Sequence, residues 1–480
     1  MKNIVLLSLV VGSLAGCAGM GGLDQAPRAT MSTPVAVGAT ENSLLQWPSA
    51  HWWEIYQDPR LNSLIDRALE QSPDLRLARV RLEQAAAIAE HAGAQRWPKV
   101  NADVSAVRKR YSQEYDAGAP LASNYGSTFT LGAEVQYTFD FWGGQRAVLR
   151  AALGETAARN AEVQAARLML TSRVVGAWFE LAHLLSMREL ARESLDVRHQ
   201  TLRIVERRVL AGLDTEVEHQ QAQGDLPAME RDILRLNEQI ALQRHGLSAL
   251  AGLPINTLSD VEPRMMSVAD SNLPASVPAE LIGHRPDVVA ARWRVEAASQ
   301  NVKAAKADFY PNISLRAFAG FARQSLSIGL SDWLNAGSRN YGIGPAMTLP
   351  IFDAGKLRAR YKGRAAELDA AIETYNQTLL VAVRDVADQF ISLEALVRQS
   401  SAQEQTLAAR QTAFDLARRQ YEAGLTDYLT VLNAQNVLLR ERQQQLDLKT
   451  RGLLLNAELN RALGGGFDAA DTTNSLAWKL

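Results

Sequence analysis

Two periodicities divide this chain. In four stretches apolar residues alternate with polar ones, beginning with Val100, Ala102, Val104 and Ala106 set between Asn101, Asp103 and Ser105. Phe129, Leu131, Ala133, Val135, Tyr137 and Phe139 follow, alternating with Thr130, Gly132, Glu134, Gln136 and Thr138. Ile313, Leu315, Ala317, Ala319 and Phe321, then Tyr341, Ile343, Met347 and Leu349, repeat the pattern. A period of two predicts strands with one apolar and one polar face. Pro345 and Pro350 weaken the last of them, because proline cannot donate to a ladder. The Gly-, Ser- and Asn-rich segments from Tyr111 to Ser127 and from Arg323 to Asn340 read as exposed loops.

Elsewhere the period is helical. One helix is expected from Pro59 to about Ala94 and another from Pro286 to about Asp308. Each stops at an aromatic–proline pair, Trp97-Pro98 or Tyr310-Pro311, since the residue before proline avoids the helical region. An unbroken pattern then runs from about Gln145 to Leu210, and again from about Lys356 to Ala423; some 65 residues at 1.5 Å each make roughly 100 Å of helix. Leu168, Thr171, Val175, Trp178, Ala182 and Leu185 form one seam, and Leu170, Val174, Ala177, Leu181 and Leu184 a second. Two adjacent heptad seams predict neighbours on both sides, as for a stave in a barrel wall. Val383, Val386, Phe390, Leu393 and Val397 give the same spacing in the second long helix. Both long helices end at Ala-Gly-Leu, with Gly212 and Gly424 supplying a reversal, and returning helices reach Ala251 and Ala462.

The chain is an internal duplication. Trp97-Pro98 recurs 213 positions on as Tyr310-Pro311, Pro73-Asp74 recurs as Pro286-Asp287, and Ala211-Gly212-Leu213 recurs 212 positions on as Ala423-Gly424-Leu425. Halves of this length are too long for solenoid units.

Composition and the N-terminus narrow the class. The chain has 480 residues, 47% hydrophobic and 21% charged, and a net charge of −1, which argues against nucleic-acid binding. Lys2, an apolar run from Ile4 to Leu14 and small residues up to Cys17 read as a secretory signal peptide. Leu14-Ala15-Gly16-Cys17 resembles the bacterial lipobox, whose cysteine becomes the first mature residue and carries an N-acyl and an S-diacylglycerol lipid. The alternative is an incidental buried cysteine. Ala18 stands where an inner-membrane retention signal would usually carry Asp, so the anchor is expected in the outer membrane. Cys17 is the only cysteine, so no disulfide within the chain is possible. No later segment offers the 18 or so uninterrupted apolar residues of a membrane helix.

Four strands cannot close a membrane barrel, which needs about eight, so several copies must share one. The lipobox, Trp52-Trp53-Glu54 with Asp58-Pro59-Arg60-Leu61, His284-Arg285-Pro286-Asp287, Tyr421-Glu422-Ala423-Gly424-Leu425 and Ala462-Leu463-Gly464-Gly465-Gly466, in this order, resemble the TolC-like outer-membrane efflux factors, in particular their NodT-type or OprM-like lipoprotein branch. The match covers the chain from about residue 40 onward. The resemblance implies a mainly α protein with a membrane β-barrel. A homotrimer would join a 12-stranded β-barrel to a 12-helix periplasmic α-barrel, each protomer being an internal duplication. On this plan the signal peptide occupies 1–16 and the lipidated N-terminal segment and equatorial belt 17–58. The first repeat then covers 59–250, an equatorial segment 251–285, the second repeat 286–462 and a C-terminal equatorial tail 463–480. Such proteins are passive exit ducts for drugs or other small molecules, served by a periplasmic adaptor and an inner-membrane RND-type transporter. A duct for type I protein secretion shares the architecture. A periplasmic coiled-coil structural lipoprotein is the non-transport alternative, against which the aromatic-ended strands argue.

The resemblance also points to sites. Gly212, Leu213, Gly424 and Leu425 match adaptor-contacting tips, and helix reversal alone would also account for them. Tyr421, Leu429 and Asn433 stand where relatives place a latch tyrosine, an apolar constriction and an acidic ring residue, and inter-helix packing would explain the same three. Asn433 departs from the acidic pattern, and Asp427, near it on the same helix, is the candidate for the missing charge. Leu429 and Asn433 are four apart and share a helix face. No Gly-x-Ser-x-Gly, His-Glu-x-x-His or phosphate loop is present, and the seven histidines lack metal-ligand spacing. No enzyme, metal site or cofactor beyond the lipid on Cys17 is expected.

Overall fold

The computed structural model describes residues 29–33, 37–38, 48–113, 123–266, 276–277, 282–325 and 334–467. The segment expected to be a signal peptide, Cys17 after it, and the tail after 467 lie outside the described residues. Two compact units result. One holds the described residues within Met1–Met31, Leu82–Arg159 and Ala291–Tyr375, the other those within Ser32–Arg81, Asn160–Ala290 and Asn376–Leu480. Both cut across the sequence repeats.

The elements run β1 (Val37–Gly38), α1 (Pro59–Gln71), α2 (Pro73–Ala94), β2 (Lys99–Arg110), β3 (Tyr125–Phe139), α3 (Gly144–Leu210), α4 (Glu216–Leu250), β4 (Ser276–Val277), α5 (Pro286–Ala307), β5 (Asn312–Ser325), β6 (Arg339–Thr348), α6 (Lys356–Glu422) and α7 (Tyr428–Ala462). The helix expected from Pro59 to Ala94 is two. Ser72 is extended at ψ 125° between α1 and α2, the conformation that Pro73 demands of its predecessor.

In the first unit β2, β3, β5 and β6 form one antiparallel sheet in that order. The strands outrun the alternation. β2 continues to Arg110 and β3 starts at Tyr125, so the loop expected from Tyr111 to Ser127 loses its last residues to the ladder. β5 likewise reaches Ser325 and β6 starts at Arg339, whereas Leu349 falls beyond the end of β6. Gly, Ser and basic residues broke the apolar rhythm there, but the backbone pairing did not need it. Pro345 lies on β6 opposite Leu315, and β6 is an edge strand of this sheet, the place where proline is tolerated. In register, Val104, Leu131 and Phe321 share one face, and Asn101, Glu134 and Phe318 share the other. Asp140 caps α3 through the Gln145 and Arg146 amides at 3.1 and 2.9 Å. Asp353, its repeat counterpart, accepts from Gly355 and Leu357 at 3.0 and 2.7 Å before α6. Each strand therefore passes into its long helix through the same aspartate device. Nearby, Val302, Ala305, Phe309 and Tyr361 form a small buried core.

In the second unit both expected seams of α3 are largely buried. Thr171, Val174, Val175, Trp178, Leu181 and Ala182 are almost wholly covered. One stretch of α3 is long and apolar enough to cross a membrane by length and composition, although charged residues such as Arg173 and Glu180 interrupt it. More than half of that stretch is buried against protein, as in a core helix. On α6 the buried line is Leu379, Ala382, Val386 and Leu396, whereas Val397 is 62% exposed. A straight helix drifts by about 20° per heptad against a strict 3.5 repeat, which rotates Val397 out of the seam.

The quoted motifs now have structural roles. Asp58 caps α1 and also accepts from the Trp178 indole at 3.1 Å, while buried Tyr56 donates to Asn456 at 2.9 Å. Arg285 is buried, clamps Asp287 at 3.1 and 2.8 Å, approaches Asp385 at 3.5 Å and donates to the Ala462 carbonyl at 3.3 Å. The start of the second repeat is thereby tied to the end of α7.

Candidate functional site

The two helix reversals have one backbone design. At the first, Gly212 has φ +70°, its N–H donates to the Val209 carbonyl at 2.9 Å, and the Leu213 N–H reaches back to Arg208 at 2.8 Å. At the second, Gly424 has φ +77°, with matching bonds to Tyr421 at 3.0 Å and from Leu425 to Gln420 at 2.8 Å. This is the Schellman closure, and its left-handed residue is why both positions are glycine. A Cβ on Gly212 would meet nothing within 4 Å, so backbone conformation rather than crowding dictates the residue. Leu213 and Leu425 are 65% and 78% exposed.

Both returning helices are capped at the position 212 residues apart. Thr215 accepts from the Val217 amide at 3.2 Å, and Glu218 accepts in turn from the Thr215 amide at 2.9 Å. Asp427 takes the same position before α7 and accepts from the Thr430 amide at 2.9 Å and hydroxyl at 2.6 Å. Those bonds hold the Asp427 carboxyl below the usual carboxylate range.

The side chains around these reversals differ. Tyr421 is fully buried among Val205, Ala222, Phe414, Ala417, Tyr428 and Val431. Its hydroxyl donates to Asp214, which follows the first reversal. Arg208 grips the same carboxylate with two bonds of 3.0 and 3.1 Å, and donates its third nitrogen to the Tyr421 carbonyl at 2.9 Å. Its guanidinium also stands 4.5 Å from the Tyr421 ring centroid. Arg208 and Asp214 expose only 13% and 8% of their side chains. Burial alone would raise the Asp214 pKa, but the bonds from Arg208 and Tyr421 outweigh it and hold the carboxyl below its ordinary range. Burial, reinforced by the neighbouring carboxylate, pushes the Tyr421 hydroxyl up, so it stays a donor at any physiological pH.

A second layer repeats the chemistry with Tyr428 at the start of α7, Asp225 on α4 and Arg198 on α3. Tyr428 donates to Asp225 at 3.3 Å, Arg198 meets the same carboxylate at 2.9 Å, and Arg198 also donates to Asn436 at 2.8 Å. The rings of Tyr421 and Tyr428 lie 6.2 Å apart.

Of the residues singled out in the sequence, Tyr421 joins this cluster, while Leu429 (48% exposed) and Asn433 lie on the exposed side of α7. Arg208, Asp214, Arg198, Asp225 and Tyr428 were missed. A signal for Arg208 and Asp214 existed. At the 212-residue offset Arg208 stands against Gln420, Val209 against Tyr421 and Asp214 against Thr426, so the cluster occupies positions where the repeats disagree. Among the described residues, no group of three or more His, Cys, Asp or Glu is placed to hold a metal ion.

The family model described as "Outer membrane efflux protein" matches residues 64–253 and again 277–465, two segments separated by the same repeat offset. The chain belongs to the outer membrane efflux protein family. This efflux protein is 31% identical over 479 residues to the multidrug resistance outer membrane protein MdtP of Escherichia coli O6:H1, covering 97% of both chains. It is 34% identical to the pyoverdine export outer membrane protein OpmQ of Pseudomonas aeruginosa, covering 87% of this chain and 88% of that one. The crystal structure of the outer membrane protein VceC of Vibrio cholerae superposes with a TM-score of 0.82 at 37% identity, covering 88% of this chain and all of that one. This efflux protein is accordingly an outer-membrane exit duct, a transport protein and not an enzyme.

Proposed function

We propose that three copies of this chain form a gated export duct for small toxic molecules. The open edges of β2 and β6 are not tolerated in lipid, so each would pair with its neighbour's to close twelve strands. The long helices and their returns would supply twelve staves below. Acyl chains on Cys17 would add a second anchor in the outer-membrane lipid. The exposed Leu213 and Leu425 beside Gly212 and Gly424 offer an apolar tip to a periplasmic adaptor, behind which an RND-type inner-membrane transporter would supply the cargo. MdtP is named for multidrug resistance and OpmQ for pyoverdine export, and both names fit a small-molecule cargo.

The resting duct is closed at the tips, and the observation that carries this reading is the grip of Arg208 and Asp214 on Tyr421. It ties the end of α6, and the α7 that follows it, to the first hairpin. Held there, α7 would present Leu429 and Asn433 toward the axis as stacked rings. The apolar ring resists wetting, the amide ring can hydrogen-bond to its copies without a cation, and Asp427 caps the same helix nearer the tip. Opening then means releasing Tyr421 and moving the second hairpin outward. Tyr421→Phe combined with Leu429→Ala is expected to raise single-channel conductance in planar bilayers. Unchanged conductance from an intact, heat-resistant oligomer would place the constriction elsewhere.

A further inference from the structure

The apolar face of the four-stranded sheet carries charge at one end only. Along β2 this face reads Val100, Ala102, Val104, Ala106, Arg108, Arg110, and along β5 Ile313, Leu315, Ala317, Ala319, Phe321, Arg323. On β3 it carries no charge from Tyr125 to Phe139, and on β6 it runs from Met347 through Ile343 and Tyr341 to Arg339. The ladder fixes these positions to one side: Ala106, Phe129 and Arg323 form one row, and Val104, Leu131, Phe321 and Arg339 the next. Four arginines therefore share the apolar face, in neighbouring rows at one end, and no acidic residue lies on that face. The other charges of the sheet, Lys99, Asp103, Lys109, Glu134 and Arg316, all belong to the polar face. Arg108 stands 5.7 Å from the ring centroid of Tyr125 on the apolar side, whereas adjacent Lys109 stands 4.7 Å from that of Tyr111 on the polar side.

The opposite end of the sheet, where the strands meet the helices, is aromatic. Trp142 stacks on Tyr310 at 4.6 Å and donates to the Pro311 carbonyl at 2.8 Å, Phe139 stacks on Phe141 at 5.5 Å, and Trp97 is 73% exposed. From Ile313 to Arg323 is ten residue steps. At about 3.4 Å per step and a tilt of about 40° this rises roughly 26 Å, close to the ~25 Å apolar band of an outer-membrane barrel. On the apolar face aromatic residues thus mark both ends, Tyr125 and Tyr341 among them, whereas guanidinium groups occur only at the end remote from the helices. An arginine on the lipid face is costly at mid-membrane and cheap at the boundary, so the height is physically allowed. Mere snorkelling to water explains long basic side chains at either interface, yet here they occupy only the end remote from the helices.

We propose that Arg108, Arg110, Arg323 and Arg339 form a binding surface for the phosphorylated glycolipid of the outer leaflet. The proposal rests on the duct reading, in which the helices lie in the periplasm and the far end of the sheet reaches the outer leaflet. That leaflet is built of glycolipid bearing phosphates at its polar boundary, and guanidinium forks pair with phosphate through two parallel bonds. Arg323 and Arg339 are diagonal neighbours on adjacent strands, about 7 Å apart or less at Cβ, a separation that lets two forks share one headgroup. The face would select its lipid by charge at the rim and by aliphatic contact below, as a bound lipid with both phosphate and acyl chains requires.

Native mass spectrometry of the full-length trimer in detergent, with bisphosphorylated lipid A and its dephosphorylated form as probes, tests this. Wild type is expected to prefer the phosphorylated form by about tenfold or more, the scale of one charge-assisted bond. Arg108→Gln, Arg110→Gln, Arg323→Gln and Arg339→Gln combined abolish the preference, whereas Lys109→Gln on the other face keeps it. If the fourfold variant does not assemble, Arg108→Gln with Arg110→Gln on the edge strand is expected to halve the preference or more. Equal binding of both lipids by wild type, an unchanged preference in the arginine variants, or the same loss in Lys109→Gln would overturn the proposal. Conductance of the Tyr421→Phe, Leu429→Ala protein, in which the resting constriction is released, reads the barrel independently: no conductance there would count against the duct, and conductance without lipid preference against this surface alone.

Discussion

The two helix reversals were built from one plan and now do different work. Both use a left-handed glycine, both close with the same pair of backbone bonds, and both hand over to a capped helix. The backbone device survived duplication because only a glycine-like conformation turns a helix back in so few residues. The side chains around it were free to diverge, and they diverged into complements. The first hairpin supplies Arg208 and Asp214, the second supplies Tyr421, and neither reversal carries a closed set of its own. The difference teaches that the first hairpin supplies the charged pair and the second the tyrosine it binds, the asymmetry on which the proposed gate rests.

The largest expected effect comes from breaking the complement at its centre. Arg208→Ala leaves the Asp214 carboxylate in an enclosed site with only Tyr421, and removing one partner of a buried pair costs about 3 kcal/mol. The second hairpin is then expected to release, seen as increased entry of a large antibiotic such as vancomycin into cells. Resistance equal to wild type, with normal amounts of the protein in the membrane, would contradict it.

A smaller effect follows from acid. The Asp214 pKa is depressed in the folded protein, so its contribution is complete above the ordinary aspartate value of about 3.9 and is lost as pH falls below that through the native value. Conductance is expected to stay at its resting level down to that range and to rise below it, and Asp214→Asn is expected to flatten the transition. A rise centred well above the ordinary aspartate value would assign the titration to another group.

The smallest effect belongs to the feature the reversals share. Gly212→Val or Gly424→Val forces a β-branched residue to positive φ, at a cost of about 1 kcal/mol or somewhat more. Each tip would distort locally while the trimer stays folded and membrane-inserted, and crosslinking to the adaptor would weaken. Crosslinking at wild-type levels in both variants would remove the tips from the adaptor interface.

These contrasts also explain what could be read in advance. Strands, long helices and reversals follow from local rules, namely period-two alternation, paired heptad seams and glycine after a helix, and they were legible in the sequence. The break between α1 and α2 was legible as well, since Pro73 sits where the helix parts, but the apolar rhythm masked it. The ends of β2 and β5 were hidden because Arg108, Arg110 and Arg323 interrupt the apolar pattern on the very face that continues. The lock was the least legible, for Tyr421 and Asp214 are 207 residues apart and no spacing rule connects them. Family resemblance singles out Tyr421, and only the fold brings Arg208 and Asp214 to it.

The account depends most on the claim that Tyr421, Asp214 and Arg208 keep the two hairpins together at rest. Spin labels at Leu213→Cys and Leu425→Cys, both exposed and one on each reversal, would measure this directly. Cys17 would be replaced by serine, with export directed by an unrelated cleavable signal peptide. The account predicts a narrow distance distribution with the three residues intact and a broader one shifted to longer distance in Tyr421→Phe with Asp214→Ala. The same narrow distribution in both proteins would contradict it.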